Sequence, residues 1–239
     1  MGYTFNAILT VHIIFGGVAL LVAPGAMITR KGGLWHRRWG KVYFWSMATV
    51  AASAVALSLL RPGLFLLLVA VFSFYLALTG YRVLYRKTPQ ERANFLDWGA
   101  AMLMLAGGVA LFGYGVLLLR TSSFGVVAVV FGGTGLLLAI TDARAFLRPP
   151  ADKRAWWFTH MGRMMGAYIA TVSAFSVVNF HFLPPLVRWL WPSAVGLVGS
   201  YIWARHYRRK FSAASSARSE PAGSARSEPV GRVSPVGHV

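Results

Sequence analysis

The chain has 239 residues, of which 56% are hydrophobic and 13% are charged, whereas soluble globular domains carry about 25% charged residues. This composition, with apolar runs of about 20 residues, argues against a soluble domain and indicates membrane spans. The formal charge of +18 does not indicate a nucleic-acid partner, because the basic residues separate the apolar runs and form no single basic face. The chain has no Cys, which excludes disulfides, iron–sulfur clusters, thiolate nucleophiles and covalently attached c-type haem.

Seven apolar segments predict seven transmembrane helices, and therefore an all-α, polytopic membrane helical bundle. They cover residues 6–28, 42–60, 64–85, 99–119, 124–141, 160–182 and 193–207. The leader before the first span has no Lys or Arg, unlike a cleaved signal peptide, so we expect this span to be retained. The seventh span is short, and the Trp-rich segment LVRWLW before it is typical of a membrane interface.

The distribution of basic residues predicts the orientation. When the loops are assigned alternately to the two sides, all but three of the 24 Lys and Arg residues fall on one side, the three being Arg61, Arg120 and Arg188. Because cytoplasmic loops are enriched in basic residues, the N-terminus is predicted outside and the C-terminus in the cytoplasm, with the protein in the cell (inner) membrane. The basic loops also predict contact with anionic lipid head groups at the cytoplasmic face.

The transmembrane domain is predicted to occupy residues 1–211 and to be followed by a tail at residues 212–239. In the tail SARSEPAG is followed directly by SARSEPVG, a tandem of Ser, Pro, Gly and Arg. A segment with so little apolar content cannot bury a core, so it is predicted to be disordered. Two roles stay open for it, a tether and a dispensable tail.

Two matching segments suggest a parallel internal repeat. IIFGGVALLVA in span one aligns with VVFGGTGLLLA in span five, and His160 with Tyr168 would then correspond to His36 with Tyr43. GGVAL also occurs in span four, which runs in the opposite direction. The alternative is therefore that Gly-Gly pairs only permit close helix contact.

The sixth span carries more polar side chains than any other apolar segment. At about 100° per residue, most of them fall within an arc of about 160°. The arc comprises His160, Arg163, Tyr168, Thr171, Asn179 and His181. Since a lipid-facing surface has no reason to gather polar groups, the arc is predicted to face other helices or a cavity. Its four members other than His are candidates for binding a substrate or lining a polar cavity.

Histidine offers the main candidate chemistry. None of the six acidic residues lies deep in a predicted span, and the chain has no Walker loop, GxSxG or HExxH motif. His12 and His181 fall toward the outer ends of their spans, whereas His36 and His160 fall at the cytoplasmic ends. Paired imidazoles from separate helices hold b-type haem without Cys. These four residues are therefore candidate ligands of haem b, and no other metal is predicted.

Each of these His residues also has a plain structural interpretation. His36 lies in WHRRWGK, an ordinary interfacial setting, and His160 with Arg163 would contact lipid phosphates or Asp142. His181 would cap the end of its helix. His12 would hydrogen-bond a neighbouring helix, because an imidazole within hydrocarbon needs a partner.

Several short motifs carry a family resemblance. His12 followed by GG, the stretch KGGLWHRRWGKVY, the segment HMGRMMGAYIATVSAF and a late WLWPS resemble a bacterial family of predicted multi-pass membrane proteins of unknown function, over residues 10–209. The resemblance implies a membrane helical bundle and no defined activity.

A looser similarity, in topology and His placement, is to dihaem b-type transmembrane cytochromes. Those proteins tend to carry the two ligands of one helix about four turns apart, whereas His160 and His181 lie about 31 Å apart along a helix. That spacing favours a single outer haem site made by His12 and His181 over two haems.

Three functions stay open from the sequence. The first is a redox protein that binds b-type haem for transmembrane electron transfer. The second is a carrier or channel for a small neutral or anionic solute, recognised by Arg163 and Tyr168. The third is a non-catalytic assembly or lipid-binding protein whose polar residues hold helices together. No enzyme class and no oligomeric state are predicted.

Overall fold

The computed structural model describes residues 2–219, with side chains through residue 213. The regular structure of this part of the chain is helical throughout, which confirms the predicted all-α class. Its α-helices are α1 (Gly2–Ile28), α2 (Leu34–Leu60), α3 (Leu64–Arg82), α4 (Phe95–Leu118), α5 (Gly125–Leu147), α6 (Ala155–Asn179) and α7 (Pro185–Ser219). A short 3-10 turn, Val83–Tyr85, follows α3.

Six of these helices, α1 to α6, are long and apolar enough to cross a membrane. Large apolar side chains point outward along them, among them Leu21, Leu103 and Leu137, which are 78%, 59% and 65% exposed. Exposed Leu at this density suits contact with lipid. The chain is therefore a multi-pass, membrane-type helical bundle. Of the described helices, α7 is not among those apolar enough to cross a membrane. The seventh span therefore stays a prediction.

Several helices extend beyond the predicted spans. α2 begins at Leu34 and α6 at Ala155, because Arg, Lys and Trp at the membrane edge continue a helix without needing hydrocarbon around them. The LVRWLW segment is also helical, since α7 begins at Pro185, where the missing N–H of proline costs nothing. It is thus the first part of α7 and not a separate piece.

The helices alternate in direction, so that α1, α3 and α5 end where α2, α4 and α6 begin. His36 at the start of α2 hydrogen-bonds the carbonyl of Ala26 near the end of α1. His160 near the start of α6 hydrogen-bonds the carbonyl of Gly80 near the end of α3. We call this end of the bundle the basic end, because the predicted basic loops lie there. Its cytoplasmic location stays a prediction.

The opposite end is held by aromatic side chains. The Phe65 ring on α3, the Phe124 ring before α5 and the Trp189 ring on α7 pack edge to face, with centroids 5.1–6.1 Å apart. Edge-to-face rings bury much apolar surface and add a favourable quadrupole interaction. At the same end the Arg61 guanidinium lies 4.1 Å from the centroid of the Phe5 ring.

Glycine allows α4 and α5 to approach closely. A Cβ on Gly132 would lie 2.4 Å from the backbone nitrogen of Phe112, and one on Gly115 would lie 2.6 Å from that of Val129. Close backbone approach of this kind is a main source of helix association in membranes. A Cβ on Gly17 of α1 would meet nothing within 4 Å. The two Gly-Gly segments of the suggested repeat therefore have different surroundings, and the repeat stays a prediction.

The chain divides into two compact units, Met1–Ser200 and Tyr201–Val239. The first unit contains the core, whose buried members include Tyr75, Met104, Phe131 and Ala167. In the second unit the described residues are helical through Ser219, past the predicted tail boundary at residue 212. The rest of the predicted tail, residues 220–239, lies outside the described residues.

Candidate functional site

The structure brings together the predicted inner pair of histidines. The imidazole of His36 on α2 and that of His160 on α6 have ring centroids 6.2 Å apart and planes inclined by 76°. Both side chains are half-buried at the basic end. Residues more than 120 positions apart in the chain thus form one two-imidazole site.

Hydrogen bonds fix which nitrogen of each ring is free. His36 Nδ1 donates to the Ala26 carbonyl at 2.9 Å, and His160 Nδ1 donates to the Gly80 carbonyl at 2.7 Å. Both carbonyls belong to the last turn of a helix, where backbone acceptors lack a helical partner. Because a carbonyl only accepts, each neutral ring carries its proton on Nδ1 and leaves the lone pair of Nε2 available. This is the usual arrangement of metal-ligating histidines.

The two histidines bridge a gap between their helices. No Cα atom of α2 lies within 8 Å of a Cα atom of α6 in the described residues. Farther from the basic end the gap is bridged by Tyr43, whose hydroxyl lies 3.2 Å from that of Thr171. One turn after His36, Gly40 is half-buried, yet a Cβ there would meet nothing within 4 Å. There is therefore open space at the Cβ position of Gly40, one turn from His36.

The surroundings of the pair are cationic. The ammonium groups of Lys31 and Lys87 both lie close enough to His160 to act on it electrostatically. Lys31 Nζ donates to the carbonyl of Met27, and burial lowers the pKa of Lys31. A bare metal cation would be repelled by these charges, whereas a group that carries carboxylates would be attracted.

The predicted outer pair is not brought together in the described residues. His12 Nδ1 lies 2.9 Å from the hydroxyl of Ser53 on α2, and the ring contacts no other imidazole. His181 is exposed, and its Nδ1 accepts a hydrogen bond from Arg188 at 3.2 Å. An accepting Nδ1 puts the proton of the neutral ring on Nε2, which leaves His181 without a free lone pair. The geometry favours the inner pair over the outer site that the sequence favoured.

Most of the polar arc of α6 is used in contacts between helices. Arg163 Nη2 lies 2.7 Å from Asp142 Oδ1 and 3.2 Å from the Leu138 carbonyl, both on α5. Thr171 meets Tyr43 across the gap, and Tyr168 packs against the core. These contacts agree with an arc that faces other helices.

Asn179 departs from this pattern. Its amide donates to the carbonyl of Phe175, one turn earlier in the same helix, at 2.8 Å, and its side chain is exposed. It is the last residue of α6 and lies at the opposite end of the bundle.

Two carboxylates at the basic end are buried, although both were predicted to lie in loops. Asp142 was considered as a contact of His160 and Arg163, and the structure shows the contact with Arg163. α5 continues through Asp142 to Leu147, and its side chain accepts from Arg163 and from the Tyr75 hydroxyl. Asp142 is only 6% exposed. The available signal was charge: a carboxylate in a strongly basic stretch next to a membrane span needs a cation close by.

Asp97 is the second of these carboxylates. It receives two hydrogen bonds from Arg82, at 3.1 and 2.9 Å, and one from the backbone N–H of Asn94. Asn94 caps α4 in return, by accepting from the N–H of Asp97, which completes a capping box. Arg86 Nη2 lies 3.6 Å from the same carboxylate. The signal in the sequence was Asn three residues before Asp at the head of an apolar run.

No group of three or more His, Asp or Glu side chains suited to a metal ion occurs in residues 2–219. The two-histidine site can therefore complete the coordination only of a metal that brings other ligands with it. Comparisons of the chain with protein-family models, with curated proteins and with solved structures found no match. The family resemblance of the sequence motifs stays a prediction, and the function rests on the geometry of the basic end.

Proposed function

We propose that the protein is a b-type haem protein of the cell membrane, in which His36 and His160 would hold the haem iron at the basic end, and that it carries single electrons on the cytoplasmic side. The observation that carries the proposal is the close pair of imidazoles, each anchored through Nδ1 with its Nε2 free. Two histidines are too few for a structural metal site but suffice for an iron that already has four porphyrin nitrogens.

The two rings would hold haem through their Nε2 atoms, because Nδ1 of each ring is engaged with a backbone carbonyl. The ring centroids of His36 and His160 are 6.2 Å apart. When bound between these residues, haem would supply reversible one-electron oxidation and reduction of its iron.

The surrounding residues prepare the site. The carbonyls of Ala26 and Gly80 hold the rings in one tautomer and one orientation, which raises their basicity as ligands. Gly40 leaves open space one turn from His36. Lys31 and Lys87 supply positive charge for the two propionates that haem b carries.

The test is the absorption spectrum of full-length protein purified in detergent after haem-replete expression. We expect a Soret band in the wild type and its loss, by at least about tenfold, in His36→Ala and in His160→Ala, because each removes one axial ligand. His12→Ala and His181→Ala are matched controls and should retain the band. Colourless wild-type protein would overturn the proposal. If the band were lost only in the two controls, haem would be assigned to the outer pair, His12 and His181, instead.

A non-catalytic assembly role is the second candidate, and a separate observation favours it. Polar side chains of α6 are engaged in bonds to other helices, such as that of Thr171 with Tyr43 and that of Ser176 with Trp191. The pairing of Arg163 with Asp142 leaves a carrier without its predicted recognition residue. An assembly role predicts that His36→Ala lowers thermal stability in a protein that never shows a Soret band.

A further inference from the structure

A second cluster lies at the basic end, beside the histidine pair. It joins Arg82 at the end of α3, Arg86 four residues later, Asp97 of α4, Asp142 of α5 and Arg163 of α6. Arg82 pairs with Asp97, and Arg163 pairs with Asp142, through contacts of 2.9 and 2.7 Å. Arg86 is 3.6 Å from Asp97 and also acts electrostatically on Asp142. Three guanidinium groups thus share two carboxylates, which leaves one positive charge without a matching anion.

Two donors in the cluster have no acceptor. Arg163 Nη1 and Arg86 Nε are both buried and make no hydrogen bond to any described residue. Arg163 as a whole is only 5% exposed. A buried donor of a charged group that bonds neither protein nor water is costly, about 1–3 kcal/mol or more. Both arginines lie near Tyr75, since the Arg163 guanidinium is 5.6 Å from the centroid of its ring and Arg86 interacts with it electrostatically.

We propose that this cluster binds the phosphodiester of an anionic phospholipid, with Arg86 and Arg163 as the donors. A phosphodiester carries one negative charge, which equals the unmatched charge of the cluster, and its oxygens accept the N–H groups that lack a partner. The side chains of Arg82 and Arg86 are 20% and 14% exposed, so the cluster opens at the rim of the bundle.

Features of the rim favour a lipid as the source of the phosphate. Lys87 Nζ lies 5.0 Å from the centroid of the Trp156 ring, and such Lys–Trp pairs are typical of the head-group level of a membrane. Lys87 adds attraction for an anionic head group from the side that faces the membrane surface. Free phosphate has the same binding chemistry, so the experiment must separate the two.

The experiment is native mass spectrometry of the full-length protein in detergent, titrated with phosphatidylglycerol or with phosphatidylcholine of the same acyl chains. We expect phosphatidylglycerol to bind more tightly. Arg86→Gln should weaken its binding by about tenfold or more, since a charge-assisted contact is lost. This variant loses the 3.6 Å contact of Arg86 with Asp97 but leaves Asp97 with Arg82 and Asp142 with Arg163, so each carboxylate keeps one guanidinium partner. Arg92→Gln is the matched control, because Arg92 is an exposed residue of the same loop.

Three results decide the matter. Retained binding in Arg92→Gln and in Arg86→Lys, with loss in Arg86→Gln, supports a lipid site. Inorganic phosphate that binds with the same dependence on Arg86 and displaces phosphatidylglycerol supports the anion site and assigns it to free phosphate. Equal binding of the two lipids, or equal weakening by Arg86→Gln and Arg92→Gln, overturns the proposal. None of these readouts depends on haem, so the two proposals can fail separately.

Discussion

The two ends of the bundle differ in their ionic contacts. Aromatic pairs such as Trp98 with Phe146 occur at the basic end too, but this end adds ionic or strongly polar contacts. These are Arg163 with Asp142, Arg82 with Asp97, and the two histidines with helix-terminal carbonyls. In the opposite half the contacts are aromatic and backbone contacts, at Trp189 with its neighbouring rings and at Gly132.

This difference follows from where each force is strong. Lipid tails are as apolar as a leucine side chain, so helices within hydrocarbon gain little from apolar burial and associate through close packing. Where several helices exclude water, a charged pair holds the helices together only if both charges are matched, because an unmatched buried charge is costly. The basic end should therefore respond to the loss of one charge, and the opposite half to the addition of one methyl group.

The largest expected effect is at the basic end. Asp142→Ala leaves the Arg163 guanidinium buried without its carboxylate and removes the acceptor of the Tyr75 hydroxyl. We expect the free energy of unfolding in mixed micelles to fall by about 3–5 kcal/mol. Asp152→Ala, which removes an exposed carboxylate in the loop before α6, is the control and should change stability little. A similar loss in both variants would show that the ionic contacts do not hold this end.

The next effect concerns the packing of α4 on α5. Gly132→Ala places a Cβ 2.4 Å from the backbone nitrogen of Phe112, so one helix must move. We expect a loss of about 1–3 kcal/mol in the same assay. Gly133→Ala meets only ordinary contacts at 3.6 Å and should be tolerated, as should Gly17→Ala, where nothing lies within 4 Å. Equal stability of all three variants would remove the distinction between the two halves.

A single polar contact in the opposite half gives a smaller effect. Trp191 Nε1 donates to the Ser176 hydroxyl at 2.8 Å, so Ser176→Ala leaves a partly buried indole N–H without an acceptor. We expect a cost of about 1–2 kcal/mol, measured as above. Ser173→Ala is the matched control, because Ser173 is 1% exposed on the same helix and its hydroxyl has no partner among the described residues. Loss of the Ser173 hydroxyl should leave the free energy of unfolding unchanged or raise it.

The apolar runs of the sequence predicted the helices, but they did not predict the contacts between the helices equally well. The apolar runs give six helices that can cross a membrane, because a span must satisfy its own backbone and so reveals itself locally. Helix ends were less predictable: charged residues such as Asp142 and Arg144 look like a loop by hydropathy, yet they continue α5. Asp142 is paired with Arg163 of α6, and Arg144 is exposed, so neither needs a loop around it.

The site was predicted in part, for a related reason. Grouping the histidines by depth placed His36 with His160, and the structure puts these two rings in contact. Depth alone could not decide whether two helices at the same level are neighbours, so the sequence favoured the outer pair of His12 and His181, which the structure does not bring together. The two pairs also differ in the tautomers of their rings, which depend on the group beside each ring: a carbonyl at His36 and a cation at His181. The periodicity of the sequence does not predict these neighbours.

The smallest expected effect lies in the loop beyond the basic end. The backbone N–H groups of Thr88 and Lys87 donate to the Glu91 carboxylate, and these hydrogen bonds lower the pKa of Glu91 below its usual range. Because the folded value is the lower one, the carboxylate contributes to loop stability above its ordinary pKa, and the contribution is lost as the pH falls through the folded pKa. A ¹³C titration of the carboxyl in detergent should show the lowered pKa, and it should persist at high salt, because hydrogen bonds dominate over the charge of Lys87. A pKa in the usual range would show that the two N–H groups do not stabilise the carboxylate. A shift abolished by salt would place this loop with the ionic contacts of the basic end and not with locally hydrogen-bonded turns.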